Sequence, residues 1–341
     1  MYPSRLLEVL PKYAQRGRAV HLVGPPGCGK TEVARQAIRQ LVGWGWYEVH
    51  GPTRPSEDWG VPVPNAERSA IAFLSPENLP FEDAPGPDRG VIYVDELSQS
   101  DNSQQKFYAN LFQAREIHGR KIKPGWSFIS TGNREKDRAG ANRILSHLRD
   151  RFTEITMEVS LPDWCVWALA NNVPPILVMF HRFRASTGNM LLAPEFDPSL
   201  PTKQPTPRSW VEGVGWMMDD FAGAPDELEH YAGAVGEGAA AEFLGFLRTY
   251  RSLADPDVVA RDPYSQPVPG DPATCYAMAG SLAARADDSN FANIITYGRR
   301  MGPEYGLLIV QDAVHRDAML RKTRAYIEWV TTDGKDLVQA A

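Results

Sequence analysis

Ala19-Val20-His21-Leu22-Val23-Gly24-Pro25-Pro26-Gly27-Cys28-Gly29-Lys30-Thr31 decides how this chain is read. Its first five residues form a short, mostly apolar run suited to a buried parallel strand. Gly24 to Thr31 satisfies the pattern GxxxxGK[ST], and Glu32 to Leu41 continues in helix-favouring residues. Strand, glycine-rich loop and helix is the context in which that pattern cradles phosphate. The glycines let successive backbone N–H groups point inward at phosphate oxygens, and the helix N-terminus adds its partial positive charge. The expected binding set is Gly24, Pro25, Pro26, Gly27, Cys28, Gly29, Lys30, Thr31 and Glu32. Lys30 is expected to reach the β- and γ-phosphates of a nucleotide, and Thr31 to hold Mg²⁺ through its hydroxyl.

A second apolar run, Gly90-Val91-Ile92-Tyr93-Val94, ends in Asp95 and Glu96. In an open parallel sheet ligands sit beyond the carboxyl ends of the strands, so both carboxylates should face the glycine loop. Asp95 suits the Mg²⁺ side, and Glu96 suits the residue that polarises an attacking water. A third run, Trp126 to Gly132, ends at Asn133, whose amide can orient water near the γ-phosphate. A turn asparagine after glycine is the plainer alternative there. Downstream, Asn142 to Phe152 reads as a short helix leading into a strand, with Arg149 and Arg151 flanking Asp150. These arginines are either surface charges or reach a neighbouring subunit's γ-phosphate.

Taken together, the glycine loop, VIYVDE, STGN and LSHLRDRF resemble the ordered motifs of AAA+ ATPases. Leu161-Pro162-Asp163-Trp164, Pro205-Thr206-Pro207-Arg208-Ser209-Trp210 and the loop from Pro55 to Pro62 are similar to the MoxR branch, which includes CbbQ- and NorQ-like activators. The resemblance spans roughly residues 1–255. It implies ATP and Mg²⁺ as ligands, Arg208 as a nucleotide sensor on a helical lid, and Arg151 as a finger acting on the next subunit, with Arg149 as the alternative. It also implies a homo-oligomeric ring, a hexamer, that remodels a protein client or a partner carrying a von Willebrand A-type domain.

The fold class expected is α/β: a P-loop AAA+ core with a five-stranded parallel sheet in residues 1–160, an all-helical lid in 161–255, and a linker with a helical extension in 256–341. Tyr47-Glu48-Val49-His50 is a further strand. Pro52 to Pro87 is too rich in proline for a long helix, and Ile71 to Leu74 suggests a short strand or hairpin inside it. Trp59 in that stretch is either a core anchor or an exposed aromatic lining a ring pore. Ser103 to Ala114 reads as a helix, and Ile117 to Ile122 as a hairpin. Gly233 to Tyr250 reads as an alanine- and glycine-rich helical pattern with Phe243, Phe246 and Leu247 as its apolar stripe. Asp255 to Pro272 reads as a linker.

Composition narrows the rest. The 341 residues are 43% apolar and 23% charged, as in ordinary globular chains. No apolar stretch is long enough for a membrane span, and the N-terminus has no signal-peptide pattern. Cys28, Cys165 and Cys275 lie far apart with no CxxC pair, which points away from disulfides and cysteine-bound zinc and toward the cytoplasm. The seven histidines show no metal-ligand spacing. A formal net charge of −6 gives no general attraction to nucleic acid. A nucleic-acid motor is nevertheless the main alternative, because the RDRF segment is also similar to that of RuvB-type helicases. Phosphate tracking needs a basic channel, and Arg54 is offset by Glu57 and Asp58. A slow nucleotide-dependent scaffold is the third option, and the combination of Glu96, Asn133 and Arg151 argues against it.

Overall fold

In the computed structural model, which describes residues 1–54, 56–67, 69–76, 78–137 and 142–335, the quoted apolar run forms β1 (Val20–Gly24), between α1 (Pro3–Gln15) and α2 (Lys30–Arg39). The chain continues through β2 (Gly45–His50), a hairpin of β3 (Val61–Pro64) and β4 (Ile71–Leu74), and β5 (Arg89–Asp95). Next come α3 (Asn102–Ala114), a small hairpin of β6 (Glu116–Ile117) and β7 (Arg120–Lys121), β8 (Gly125–Asn133), α4 (Ser146–Arg149) and β9 (Thr153–Thr156). Pro55, in the loop that carries part of the MoxR resemblance, and residues 336–341 at the end of the expected extension lie outside the described residues.

Five strands form one parallel sheet in the order β2-β5-β8-β1-β9. The apolar composition of β5 follows from burial on both faces. Val91 and Tyr93 join a core with Leu6, Leu10, Val33 and Ala37 from α1 and α2. The alternate residues Ile92 and Val94 pack with Tyr108, Leu111 and Phe112 of α3 on the opposite face. Helix α3 begins at a capping box: Asp101 accepts from the Gln104 backbone at 2.8 Å, and Gln104 accepts from the Asp101 backbone at 2.8 Å. The expected α/β class with a five-stranded parallel sheet is the fold found.

The expected hairpin over Ile117 to Ile122 is present, and of the two readings of Ile71 to Leu74 the structure selects the hairpin. His118 (φ 49°) and Gly119 (φ 80°) make the two-residue turn between β6 and β7, the backbone sign that tight hairpins require. Of the two readings of Trp59, the structure selects the core anchor. The indole is fully buried, packs on Phe107 at 4.9 Å between ring centroids, and carries the Arg54 guanidinium 4.6 Å from its centroid.

The chain divides into two units. The first contains Met1–Ser160 with Phe196–Leu200, and the second contains Leu161–Glu195 and the chain from Pro201 onward. The second is helical: α5 (Leu161–Ala170), α6 (Pro175–Ser186), α7 (Pro207–Trp210) running into a π turn over Val211–Gly215, α8 (Met218–Phe221), α9 (Glu227–Val235), α10 (Glu237–Arg251), α11 (Pro256–Arg261), α12 (Pro272–Arg285), α13 (Phe291–Met301), α14 (Pro303–Arg316) and α15 (Arg324–Thr332). Arg182 of α6 donates to both carboxylate oxygens of buried Asp312 in α14, at 2.5 and 3.0 Å. Among the described residues, no helix is long and apolar enough to cross a membrane.

Two expectations change here. The helical pattern of Gly233 to Tyr250 divides between two helices. Gly236, at φ 88°, closes α9 by donating to the Ala232 carbonyl and precedes α10, so the chain turns where glycine permits it. The stripe itself is as expected, since Phe243, Phe246 and Leu247 are buried. Asp255 to Pro272 is not simply a linker, because Asp255 caps α11 and Val259 and Ala260 enter the core of the C-terminal helices. A six-residue helix leaves too short a periodic signal to outweigh its prolines and aspartates.

Two of the histidines are buried, one in each unit. His21 bonds the Ser130 hydroxyl at 2.9 Å, while His181 is walled by Trp164, Phe180 and Trp210 with no hydrogen-bond partner on either ring nitrogen among the described residues. Burial pushes both imidazoles down to about 3, with Lys30 and then Arg149 adding to the effect at His21. Both are therefore neutral when folded, and the unfolded chain gains the proton once pH falls below about 6.5. Stability is complete above that pH and is lost toward about pH 3, by about 1.4 kcal/mol per pH unit for each histidine. In urea titrations at pH 7 and pH 5, His181→Phe is expected to lose about 2 kcal/mol less stability between the two than the parent chain. Equal losses would remove His181 from this account.

Candidate active site

The sheet register assembles the site. Gly24 lies opposite Asn133 between β1 and β8, and His50 lies opposite Asp95 between β2 and β5. The carboxyl ends of four neighbouring strands therefore present Gly24, His50, Asp95 and Asn133 along one sheet edge. This is where ligands of open parallel sheets bind.

Between β1 and α2 the chain turns through Gly27 (φ 66°) and Gly29 (φ 95°), a conformation that side chains with a Cβ rarely adopt. Gly29 is the residue before the first turn of α2, so the loop feeds directly into a helix N-terminus. Lys30 folds back over this loop. Its ammonium donates to the carbonyls of Gly24 (3.0 Å) and Pro25 (2.9 Å) and to Asn133 Oδ1 (3.0 Å). Cys28 is buried beside the turn, where burial pushes its thiol pKa up, so it contributes packing rather than a thiolate. Pro25, Pro26 and Glu32 are half-buried, and Glu32 accepts from Gln36 one helical turn on.

Thr31 and Asp95 meet at this edge: the threonine hydroxyl lies 3.3 Å from each Asp95 carboxylate oxygen. Asp95 is fixed from three other directions. Tyr93 donates at 3.0 Å, the Glu96 backbone donates at 3.1 Å, and the Thr131 hydroxyl donates to the same carboxylate oxygen. Burial, reinforced by the Asp95 charge, pushes the Tyr93 phenol far above its ordinary value, so it remains a donor. Neither Tyr93 nor Thr131 was singled out from sequence. Tyr93 lies two residues before Asp95 on β5, on the same face, and the pairing of β5 with β8 brings Thr131 to the same carboxylate.

Glu96 has a left-handed backbone (φ 55°), which turns it out of line with β5. Its carboxylate lies 3.1 Å from Nε2 of His50. His50 is a further neighbour that sequence reasoning missed: it ends a strand that could be read from sequence, but only the pairing of β2 with β5 sets it beside Glu96. Asn133 is held through its backbone, which donates to the buried Ser98 hydroxyl at 3.0 Å. This leaves its side chain to Lys30.

The three arginines make other contacts. Arg151 is half-buried and donates to Gln113 at 3.0 Å and to the His147 carbonyl. Arg149 is exposed, 3.7 Å from Glu154. Arg208 belongs to the second unit, where it is exposed on the second residue of α7, inside the capping box made by Thr206 and Ser209.

The donor set suits a magnesium nucleotide. One hydroxyl and one carboxylate at the sheet edge are the sparse oxygen ligands that Mg²⁺ takes when phosphates and waters complete its octahedron. Among the described residues, no group of three or more His, Cys, Asp or Glu forms a denser metal site.

Compared with family models and with curated proteins, the sequence matches none. Solved structures do match in part. A point mutant of RuvB from Thermotoga maritima is 15% identical, with 82% of this chain and 80% of that chain covered and a TM-score of 0.38. NtrX from Brucella abortus, in complex with ADP, is 14% identical, with 73% of this chain covered and a TM-score of 0.39, and this chain spans 60% of it. At this level of likeness nothing about activity passes from either protein to this chain.

Proposed function

We propose that the chain is an ATP hydrolase of the AAA+ type, in the MoxR-like branch, working as a homo-oligomeric ring, a hexamer, on a protein client or a von Willebrand A-domain partner. The observation that carries the reading is the convergence of Lys30, Thr31, Asp95, Glu96 and Asn133 on one sheet edge beside a glycine loop. In this reading Lys30 exchanges its carbonyl partners for phosphate oxygens, and Thr31 and Asp95 hold the Mg²⁺ that arrives with ATP. The metal, when bound, would supply charge neutralisation on the phosphates. Glu96 takes the proton of the attacking water, and Asn133 orients that water or the γ-phosphate. Residues 161–255 act as the lid that carries Arg208, Arg151 acts on the next subunit, and residues 256–341 extend the lid.

A nucleic-acid motor has less support. Arg54, the cation offered for a channel, is occupied by Trp59 and by the Tyr47 hydroxyl at 3.0 Å.

The proposal is tested by measuring ATPase rate against protein concentration, with size-resolved mass in ATP and without it. A rate per chain that rises with concentration, together with ATP-dependent assembly, is the expected result. A constant rate from a monomer would leave a P-loop switch or scaffold instead. Lys30→Ala should weaken ATP binding by roughly a hundredfold, since it removes charge-assisted bonds worth about 1.5–3 kcal/mol each. Titration with a fluorescent ATP analogue reads this directly, and unchanged affinity would remove the loop from the proposal.

A further inference from the structure

The hairpin of β3 and β4 exposes apolar surface that the nucleotide site does not use. Ile71 is 68% exposed, Phe73 44% and Leu74 63%, and Ala72 between them is exposed as well. No residue of β4 is charged. The hairpin is nonetheless firmly built. Asn65 closes its turn by donating from its backbone to the Ala70 carbonyl (2.9 Å) and accepting from the Ser69 and Ala70 backbones at 2.9 and 3.2 Å. The Phe73 ring stacks flat on His118, at 4.0 Å between centroids and 1° between planes.

The register shows that its two edges differ. Val61 pairs with Leu74, Pro62 with Phe73, Val63 with Ala72 and Pro64 with Ile71. Hydrogen-bonded and non-bonded pairs alternate in an antiparallel ladder. Because Asn65 bonds Ala70, the bonded pairs are Val63 with Ala72 and Val61 with Leu74. Pro62 and Pro64 therefore stand on the outer edge of β3, where they offer no N–H, and prolines of this kind close an edge to further pairing. On the other side, Ile71 and Phe73 turn their N–H and C=O groups outward from β4. Neither has a backbone partner among the described residues outside the hairpin. Among the described residues, one edge is closed and the other is open.

We infer that β4 is a docking edge that takes one extended, apolar, uncharged segment of another protein as an added strand. The outward backbone groups of Ile71 and Phe73 dictate an extended occupant. The uncharged apolar side chains on both faces of β4 dictate its composition. A second copy of this chain fits less well. Four residues give an edge about 13 Å long, and a contact of that length covers far less than the roughly 1,000 Å² of a stable association. A short edge suits transient capture of a single segment. The inference goes beyond ATP hydrolysis and does not depend on it.

The test uses the full chain without nucleotide and a fluorescein-labelled ten-residue peptide whose central residues alternate valine and alanine, with lysines only at its two ends for solubility, read by fluorescence anisotropy. The parent chain should bind it, and a version of the peptide with proline at alternate positions should not bind. Ile71→Pro, which removes an outward N–H without touching a ladder bond of the hairpin, should weaken binding by about tenfold or more, whereas Ile71→Ala should stay within about threefold. Should Ile71→Pro fail to fold, amide exchange in the parent chain decides: peptide at saturation must slow the Ile71 and Phe73 amides. No binding by the parent chain, equal binding to both Ile71 variants, or unslowed amides would overturn the proposal. So would self-association that depends on β4, which would assign the edge to a second copy.

Discussion

Replacing Arg151 with alanine is expected to reduce ATP turnover by about 10³–10⁵-fold while leaving ATP affinity within a few-fold of the parent, the signature of a charge that acts only on the transition state. The present contacts of Arg151 make it a better candidate than Arg149. Its guanidinium donates to the neutral Gln113 side chain and to the His147 carbonyl, and among the described residues it forms no ion pair with a carboxylate. Its positive charge is thus held in place by α3 but not neutralised. Arg149 already lies near Glu154, and both are exposed, so Arg149→Ala should change turnover far less. Because the finger would serve the neighbour's site, Arg151→Ala subunits mixed with Lys30→Ala subunits should regain activity: a Lys30→Ala chain, at ATP concentrations too low to fill its own weakened site, would still lend its Arg151. Steady-state turnover across mixing ratios measures this. An absence of rescue at every ratio would sink the trans role, and an equal loss from Arg149→Ala would reassign the finger.

The parts of this site that could be read from sequence are those written as contiguous residues. Gly24 to Thr31 carries its own geometry, since glycines at positive φ and a helix beginning at Lys30 are local consequences of local sequence. The acidic end of β5 could be read because an apolar run buried on both faces must stop where the sheet edge meets solvent. What escaped were contacts made through register. His50 touches Glu96 because β2 and β5 pair side by side, and Thr131 reaches Asp95 because β5 pairs with β8. Each residue alone is ordinary, and nothing in its neighbours along the chain marks it. Trp59 could be narrowed only to two alternatives, since its environment consists of Phe107, Tyr108 and Arg54, and two of these lie almost fifty residues away. The break at Gly236 was missed for a different reason: glycine within an alanine-rich helical pattern is compatible with helix, and only the backbone angle decides.

Glu96→Gln is expected to bind ATP with near-parent affinity and to lose about 10²–10⁴-fold in turnover, the range for removing a positioned general base. The geometry makes this a clean substitution. The Glu96 backbone, not its side chain, bonds Asp95 and Thr131, so glutamine leaves the Thr31–Asp95 arrangement in place. The side chain projects from a left-handed residue toward His50 and otherwise carries no structural hydrogen bond among the described residues. Glutamine keeps its length and loses the negative charge, and with it the ability to take a proton. His50→Ala separates this role from mere crowding at the strand end. It frees the carboxylate without removing it, so its effect on turnover should be at least tenfold smaller than that of Glu96→Gln. Equilibrium ATP binding and single-turnover hydrolysis, measured on the parent and both variants, decide the matter. Normal single-turnover rates in Glu96→Gln would mean that water is activated elsewhere. A loss of ATP binding in the same variant would mean that Glu96 holds the nucleotide complex rather than the water.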